Sequence, residues 1–255
     1  MSEHGIQTPP GDTPRRPRRE WLTLDGVLPV DKPSGPTSHD IVARVRRLFR
    51  IRKVGHGGTL DPQATGLLVL LLGRATKLSH RFLGSDKTYE GTLRLGIATD
   101  SHDAQGAVVK EADPTGVTAA QVEAEMDRRH GDLYQTPPMV SAVKVNGVPL
   151  YKRARKGQSV EREPRLIHIY EFRLLAFDPP RATFRIQCTK GTYVRTLCAE
   201  IGDALGCGAH LESLRRTACG ELTIDDALPA ADVFRMDAET LAKSVLPVRR
   251  FAGDR

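Results

Sequence analysis

The chain has 255 residues and is basic, with 38 Lys and Arg against 31 Asp and Glu and a formal net charge of +7. This length allows one large domain or two small ones, and the positive charge favours a polyanionic partner. The longest apolar run, Leu67 to Leu72, is far too short to span a bilayer, and the N-terminus lacks the apolar core of a secretory signal. We therefore expect a soluble cytoplasmic protein.

The spacing of the cysteines is consistent with a cytoplasmic protein. The sequence contains no Cys-x-x-Cys pair and no Cys/His cluster with zinc-ligand spacing, so we expect free thiols in a reducing environment. The four cysteines are Cys188, Cys198, Cys207 and Cys219.

Residues 1–20 form a proline-rich arm that carries four arginines near its end. The arm has too few apolar residues to bury, so we predict that it is disordered. It either adds contacts to phosphates or only aids solubility.

The first regular elements are a strand from Gly26 to Val30 and a helix that begins near Thr37, with Asp40 in its first turn. One face of this helix is apolar and contains Ile41, Val42, Val45, Leu48 and Phe49. Most arginines lie off that face, at Arg44, Arg46, Arg47 and Arg50, and Arg52 and Lys53 follow. This basic surface is either a solvated face or a contact for backbone phosphates.

Residues 55–66 read Gly-His-Gly-Gly-Thr-Leu-Asp-Pro-Gln-Ala-Thr-Gly, the motif around which the chain is organised. Its four glycines permit positive φ angles and close approach of the backbone to a ligand. Pro62 stiffens the turn that carries Asp61, the only acid in the loop. An acid held in this way suits a nucleophile or a base, although the composition is also typical of a plain turn. The pattern of a phosphate-binding loop is absent.

Three elements follow this loop. Leu67 to Leu72 is predicted to be a strand buried on both faces, and a helix of modest length follows through Phe82. Lys87 to Leu95 is predicted to be a strand with Tyr89 near its start. Asp100 and Asp103 then lie in a loop, but two acids without further oxygen ligands are weak evidence for a metal, and we assign none.

The second half begins with a capping box, Thr118-x-x-Gln121, that opens a helix. Asn146-Gly147 predicts a turn between short strands at 142–145 and 148–151, and residues 166–177 and 182–188 are predicted to be adjacent strands. A helix begins at Thr192 or Tyr193 and ends at Gly206. Arg195 lies in its first turn, where the helix dipole disfavours a cation, so a carboxylate partner is expected.

The motif at 55–66 resembles the active-site motif of the TruB-type tRNA pseudouridine synthases. Further blocks resemble this family in the family's order, over about residues 24 to 228. They are Asp31-Lys32-Pro33-x-Gly35-x-Thr37-Ser38, Asp86-Lys87-x-Tyr89, Thr99-Asp100-x-x-Asp103, Pro138-Met139-x-Ser141-Ala142-x-Lys144, Lys190-Gly191-Thr192-Tyr193-Val194-Arg195 and Leu214-Arg215-Arg216.

The resemblance implies an α+β pseudouridine synthase fold, in which helices flank a mixed, mainly antiparallel, bent sheet with a central RNA-binding cleft. It implies a catalytic domain at 21–230, between the arm at 1–20 and a short C-terminal tail at 231–255. Many relatives continue into a PUA-type RNA-binding domain, for which this sequence leaves no room. A second departure is Val140, where relatives often carry an aromatic residue.

The resemblance also implies the reaction, which is conversion of uridine 55 in the T loop of tRNA to pseudouridine. The target base must leave its stack to react. Because the reaction is an isomerisation, we expect no cofactor and no metal. We expect tRNA to be the partner, no obligatory protein partner, no membrane association, and a monomer.

By the same resemblance, Asp61 is the catalytic carboxylate, Tyr89 stacks on the uracil and relays a proton, and Arg195 holds Asp61. Asp61 either adds to the base or sugar, or removes the C2′ proton to give a glycal-type intermediate. The residues expected to bind the substrate are His56, Tyr193, Leu214, Lys32, Gly58 and Thr59.

Three other functions are compatible with parts of the sequence. One is a guide-dependent RNA pseudouridine synthase, which shares the Asp61 motif but works with protein partners. A second is a tRNA-binding chaperone, and the intact set of Asp61, Tyr89 and Arg195 argues against that role alone. A third is a nucleoside hydrolase that uses the same acid and would release free uracil.

Overall fold

The computed structural model of the chain describes residues 20–139, 141, 144–145, 147–150, 153, 158 and 160–251. Residues 1–19 of the predicted arm, Val140 and the predicted turn residue Asn146 lie outside the described residues. Within the described part, no helix is both long and apolar enough to cross a membrane.

One mixed sheet of ten strands organises the fold. Eight strands follow each other across it in the order β14-β1-β3-β12-β4-β11-β10-β7, while β2 pairs with β3 and β13 with β12. The strands are β1 (Gly26–Lys32), β2 (Val54–His56), β3 (Thr65–Leu72), β4 (Lys87–Leu95), β7 (Gly131–Gln135), β10 (Arg165–Asp178), β11 (Arg181–Cys188), β12 (Ala209–Cys219), β13 (Leu222–Thr223) and β14 (Leu228–Pro229). Only the β1–β14 and β3–β12 pairs are parallel, which confirms a mixed, mainly antiparallel sheet.

Two small sheets and six helices complete the described fold. The small sheets pair β5 (Ile97–Thr99) with β6 (Val108–Glu111), and β8 (Lys144–Val145) with β9 (Val148–Pro149). The helices are α1 (Ser38–Leu48), α2 (Ser79–Gly84), α3 (Ala119–Asp127), α4 (Val194–Ala204), α5 (Ala230–Val233) and α6 (Ala238–Ser244). Three 3₁₀ turns lie at Gly73–Leu78, Ile224–Asp226 and Val248–Arg250. The α+β architecture is as predicted.

The helix N-caps predicted from the sequence are present in the structure. Thr37 caps α1 and Thr118 caps α3, each in a reciprocal capping box with Asp40 and Gln121 respectively. The apolar face of α1 packs inward except for Leu48, which is 47 % exposed, so the predicted face was one residue too wide.

The strand β3 is the centre of the core. Every residue from Gly66 to Leu72 is buried, because β1 and β2 lie beside it and α1 and α2 contribute apolar side chains to the clusters on its two faces. A separate cluster lies between the α3 and α4 helices and strands β4, β10 and β11. Tyr89 and Leu214 touch the apolar clusters on both sides, so they lie where the two halves of the core meet.

The segment after β14 packs onto this core. Leu246 exchanges two backbone hydrogen bonds with Val27 at 2.8 and 2.9 Å. Leu241 is fully buried, and the Phe251 ring meets Phe82 edge-to-face at 5.3 Å. The expected division of the chain at residue 230 stays a prediction.

Gly66 occupies the point where the loop after β2 enters β3 and touches β12. Its φ angle is 97°, and its register partner is Arg216. A Cβ atom at this position would overlap the backbone of Arg216. Glycine is therefore required both by the backbone conformation and by the close approach of β12.

We expect Gly66→Ala to lower the free energy of unfolding by roughly 2–4 kcal/mol, because it adds steric overlap to a positive φ. Urea unfolding followed by far-UV circular dichroism measures the change. Gly35→Ala is the matched control, since Gly35 has φ 108° but nothing within 4 Å of a Cβ atom. That control should lose roughly 1 kcal/mol, and equal losses in the two variants would contradict the role of the β12 contact.

Candidate active site

The Asp61 loop forms one wall of a cleft of about 310 Å³. The other walls come from the first residues of β4, the start of α4 and the middle of β12. The lining includes Gly58, Thr59, Asp61, Tyr89, Tyr193, Arg195 and Leu214, together with Lys87, Ser141, Leu211 and Arg216. Seven of the nine residues expected from the sequence thus meet in one place, and His56 and Lys32 are outside this lining.

Asp61 presents its carboxylate to the cleft, with 56 % of the side chain exposed. Its Oδ2 atom lies 3.8 Å from Nη1 of Arg195, whose side chain is only 5 % exposed. The expected pair, separated by more than a hundred residues in sequence, is therefore within ion-pair distance. A buried arginine that faces an exposed acid attracts the carboxylate and limits its orientations.

Arg195 has a second and closer carboxylate partner that the sequence analysis missed. Oδ2 of Asp103 lies 3.1 Å from the same Nη1 atom. The Oδ1 atom of Asp103 accepts hydrogen bonds from Ser101 Oγ at 2.7 Å and from the Gln105 amide at 3.0 Å. Asp103 thus anchors the arginine through the same nitrogen that faces Asp61. A β-bridge between Asp103 and Leu211 brings this loop to the cleft. No local sequence pattern predicts that pairing.

Arg216 supports the Asp61 loop from below. Its side chain is almost fully buried, and its guanidinium donates to three carbonyls: Leu67 at 2.7 Å, Gly58 at 3.1 Å and Thr59 at 3.3 Å. No acidic side chain among the described residues pairs with it. The guanidinium therefore lies inside the protein next to the Asp61 loop, bound to backbone carbonyls.

Lys32 has the same type of environment. Its side chain is fully buried, and Nζ donates to the carbonyls of Pro33, Pro36 and Pro62 at 2.9, 2.9 and 3.0 Å. Burial lowers the pKa of Lys32 to about 8, opposed by the Asp61 carboxylate and assisted by the Arg216 charge. The structure thus places Lys32 beneath the loop and outside the lining of the cleft, where it fixes the turn at Pro62.

Ser38 also holds the Asp61 loop, and Lys87 holds the neighbouring end of α2. The Oγ atom of Ser38, at the start of α1, donates to the Leu60 carbonyl at 3.0 Å and accepts from the Leu60 amide at 2.8 Å. Lys87 donates to the carbonyls of Phe82, Leu83 and Ser85, and burial lowers its pKa. The loop is therefore held by buried side chains on several sides before any ligand arrives.

Tyr89 lies on β4 directly opposite Arg216 on β12. Burial raises the pKa of the Tyr89 hydroxyl to about 12, although a hydrogen bond from the Arg216 side chain and its charge act in the opposite direction. The phenol is therefore protonated near neutral pH, and the guanidinium is placed to stabilise a transient phenolate.

His56 stands behind the loop and outside the lining of the cleft. Its Nδ1 atom accepts a hydrogen bond from the Gly58 amide at 3.3 Å. Burial, then the nearby charges of Arg216 and His39, lower the pKa of His56. A neutral imidazole that accepts a backbone hydrogen bond supports the shape of the loop.

Tyr193 and Leu214 form the apolar part of the cleft. Tyr193 is the N-cap of α4, and Gln135 fixes it by accepting from its amide at 2.7 Å and donating to its carbonyl at 3.2 Å. Gln135 is a second positioning residue that the sequence analysis missed. The Oγ atom of Ser141 is buried in the lining and has no hydrogen-bond partner among the described residues, so a substrate polar group would fit there.

The architecture matches solved structures. A chain of a Cbf5-Nop10-Gar1 complex aligns with TM-score 0.70 and 27 % identity, over 94 % of this chain and 68 % of that one. A chain of the archaeal box H/ACA sRNP Nop10-Cbf5 complex aligns with TM-score 0.66 and 28 % identity, over 89 % of this chain and 61 % of that one. Both alignments show that the mixed α+β fold of this chain is shared with these structures.

Sequence comparison identifies the protein family. A family model described as "TruB family pseudouridylate synthase (N terminal domain)" matches residues 46–194, and a model of the "tRNA pseudouridylate synthase B C-terminal domain" matches residues 195–251. The tRNA pseudouridine synthase B of Opitutus terrae is 51 % identical over 93 % of this chain and 97 % of its own length. That of Burkholderia lata is 52 % identical over 91 % of this chain and 73 % of its own length. The chain belongs to the TruB family of pseudouridylate synthases.

We expect His56 to titrate below its usual value of 6.5, because burial and the Arg216 charge disfavour the imidazolium. The stability that the neutral form contributes should be complete above 6.5 and be lost as the pH falls through the lowered pKa. An NMR titration of the imidazole protons, with the resonance assigned by His56→Asn, measures the midpoint. On acidification, wild type should lose more stability than that variant, and a midpoint at or above 6.5 would contradict this environment.

Proposed function

We propose that the protein converts uridine 55 in the T loop of tRNA to pseudouridine. Family membership and relatives named tRNA pseudouridine synthase B support this assignment. The observation that carries it is the exposed carboxylate of Asp61, which is ion-paired to buried Arg195 in the same cleft as Tyr89. We place this chemistry in residues 21–230.

The reaction rearranges one molecule. The N1–C1′ bond breaks, the uracil turns, the C5–C1′ bond forms, the hydrogen on C5 leaves, and N1 ends with a proton. In this proposal Asp61 acts at the junction of sugar and base. Arg195 orients Asp61, and Asp103 keeps Arg195 in place.

The buried cations are placed to stabilise the negative charge that develops on the uracil in this reaction. When the glycosidic bond breaks, the electron pair remains on the uracil, which becomes negative. Arg216 and Lys87 lie in the lining of the cleft and are bound to carbonyls, so their charges are fixed before the reaction begins. Preorganised charge aimed at a developing anion is a strong contribution to catalysis.

Tyr89 has two roles in the proposal. Its ring supports the flipped uracil, opposite the apolar side chain of Leu214 in the cleft. Its hydroxyl relays the C5 proton by giving its own proton to water and then accepting the proton from C5, and the nearby Arg216 charge stabilises the phenolate that exists between the two transfers. Tyr193, Gly58 and Thr59 are proposed to contact the nucleotide, and His56 is proposed to act through the loop.

The exposed arginines of α1 are proposed to contact RNA phosphates. Arg44, Arg46 and Arg47 are all exposed on the helix that precedes the Asp61 loop. Such contacts position an RNA without reading its sequence, while the cleft receives the extruded base. The proposal further places the enzyme in the cytoplasm, as a monomer that needs no guide RNA or partner protein. The purified chain should therefore be sufficient.

Tritium release tests the proposal. A tRNA transcript with tritium at C5 of its uridines is incubated with purified wild-type protein, and the radioactivity in water is counted. We expect close to one tritium per tRNA, because each new C5–C1′ bond expels one hydrogen. Asp61→Asn should bind the tRNA but release none.

Two further substitutions make this experiment specific. Asp103→Asn should slow release by about tenfold or more, because a charge-assisted hydrogen bond to Arg195 is lost. Asp100→Asn is the matched control from the same loop, since Asp100 accepts from the Ala107 amide and not from Arg195. Bound tRNA without release by wild type would indicate a chaperone or a guide-dependent enzyme, and free uracil would indicate a hydrolase.

A further inference from the structure

A second cavity lies away from the cleft and is larger, at about 690 Å³. It is bounded by residues 20–25 before β1, residues 51–53 before β2, and residues 73–77 after β3. It shares no lining residue with the cleft. The two sites lie at opposite ends of β3, whose length of eight residues separates them by roughly 20 Å.

Backbone hydrogen bonds hold the three segments together. The Leu22 amide donates to the Arg50 carbonyl at 3.1 Å, and the Gly73 amide donates to the Lys53 carbonyl at 2.8 Å. Asp25 joins the first segment to the third, because its carboxylate accepts from the Arg74 amide at 2.7 Å and from the Arg74 side chain. The cavity is therefore built into the fold.

The lining is positively charged. Arg52, Lys53 and Lys77 are exposed, and no described acidic side chain forms an ion pair with any of them. Of the two acids in the lining, Asp25 is bound to Arg74, and Glu20 is the other. Three unpaired cations around one cavity are suited to a phosphate group.

An aromatic side chain lies beside these cations. Trp21 is the only tryptophan of the chain, and 47 % of it is exposed although it is the largest apolar side chain available. The Arg50 guanidinium lies 5.5 Å from the centre of its ring. An indole exposed next to cations is a stacking platform for a nucleobase whose phosphate lies on the cationic rim.

We propose that this cavity binds an unpaired nucleotide of an RNA strand, with the base against Trp21 and the phosphate near Arg52, Lys53 and Lys77. Its volume lies within the range of small-ligand sites and suits a nucleotide. The choice of RNA rather than a free nucleotide rests on the proposed function. An RNA that reaches from the Asp61 cleft along β3 would occupy both sites, so the cavity would add affinity without taking part in the chemistry.

Because Trp21 is the only tryptophan, its fluorescence reports directly on this cavity. The full-length protein is titrated with a 5′-phosphorylated tetra-adenylate RNA, which contains no uridine and cannot be converted. We expect saturable quenching that weakens with salt. The double variant Arg52→Gln/Lys53→Gln should raise the dissociation constant about fivefold or more, because both cations at the phosphate are removed.

The double variant Arg165→Gln/Arg249→Gln is the matched control, since it removes the same charge from exposed positions outside the linings of both the cavity and the cleft. It should change the dissociation constant less than about twofold. Absence of quenching, or equal weakening by both double variants, would overturn the proposal. If adenosine monophosphate binds as tightly as the tetramer, the cavity takes a free nucleotide and the assignment to RNA is overturned.

The two proposals can fail separately. Quenching by tetra-adenylate requires no isomerisation, so loss of tritium release in the other assay would leave this site in place. Conversely, the double variant at Arg52 and Lys53 should raise the KM for tRNA in the tritium assay and leave kcat unchanged. A fall in kcat with no change in KM would contradict a binding role for the cavity.

Discussion

The hydrogen bonds of the Arg216 guanidinium connect the parts of this structure that chemistry requires. One side chain binds the carbonyls of Gly58 and Thr59 in the loop and the carbonyl of Leu67 in β3, and its residue lies directly opposite Tyr89 on β4. The arginine itself belongs to β12, the strand that lies between β3 and β4. The positions of Asp61 and Tyr89 relative to each other therefore depend on this buried contact.

The buried cations around the Asp61 loop also determine the electrostatics of the cleft. A buried cation is costly unless its donors are satisfied. Here Arg216, Lys32 and Lys87 are all satisfied by backbone carbonyls, which bind their donors without cancelling their charge. Asp61, by contrast, keeps its carboxylate in the cleft, while the charge of Arg195 is shared between Asp61 and Asp103. The loop is thus held by several hydrogen bonds and surrounded by fixed positive charge, which in the proposed reaction would stabilise the anionic uracil.

The sequence predicted those features that local signals determine. The capping boxes at Thr37 and Thr118, the apolar run of β3 and the strand that carries Tyr89 all formed as expected. Contacts between residues far apart in sequence, and the burial of individual side chains, could not be predicted in this way. Asp103 was noted in a family block and as a weak metal ligand, but its pairing with Arg195 was not predicted because it depends on a bridge between distant segments. Lys32 was expected at the substrate since a motif does not reveal burial, and the structure shows its ammonium enclosed by carbonyls.

The most direct test of the account is the position of the product in tRNA. An unmodified tRNA transcript is treated with the purified protein, and pseudouridines are located by carbodiimide adducts that stop primer extension. The account predicts one new stop, at position 55 in the T loop, with wild-type protein and none with Asp61→Asn. Adducts at other positions, or a treated transcript identical to the untreated one, would contradict it.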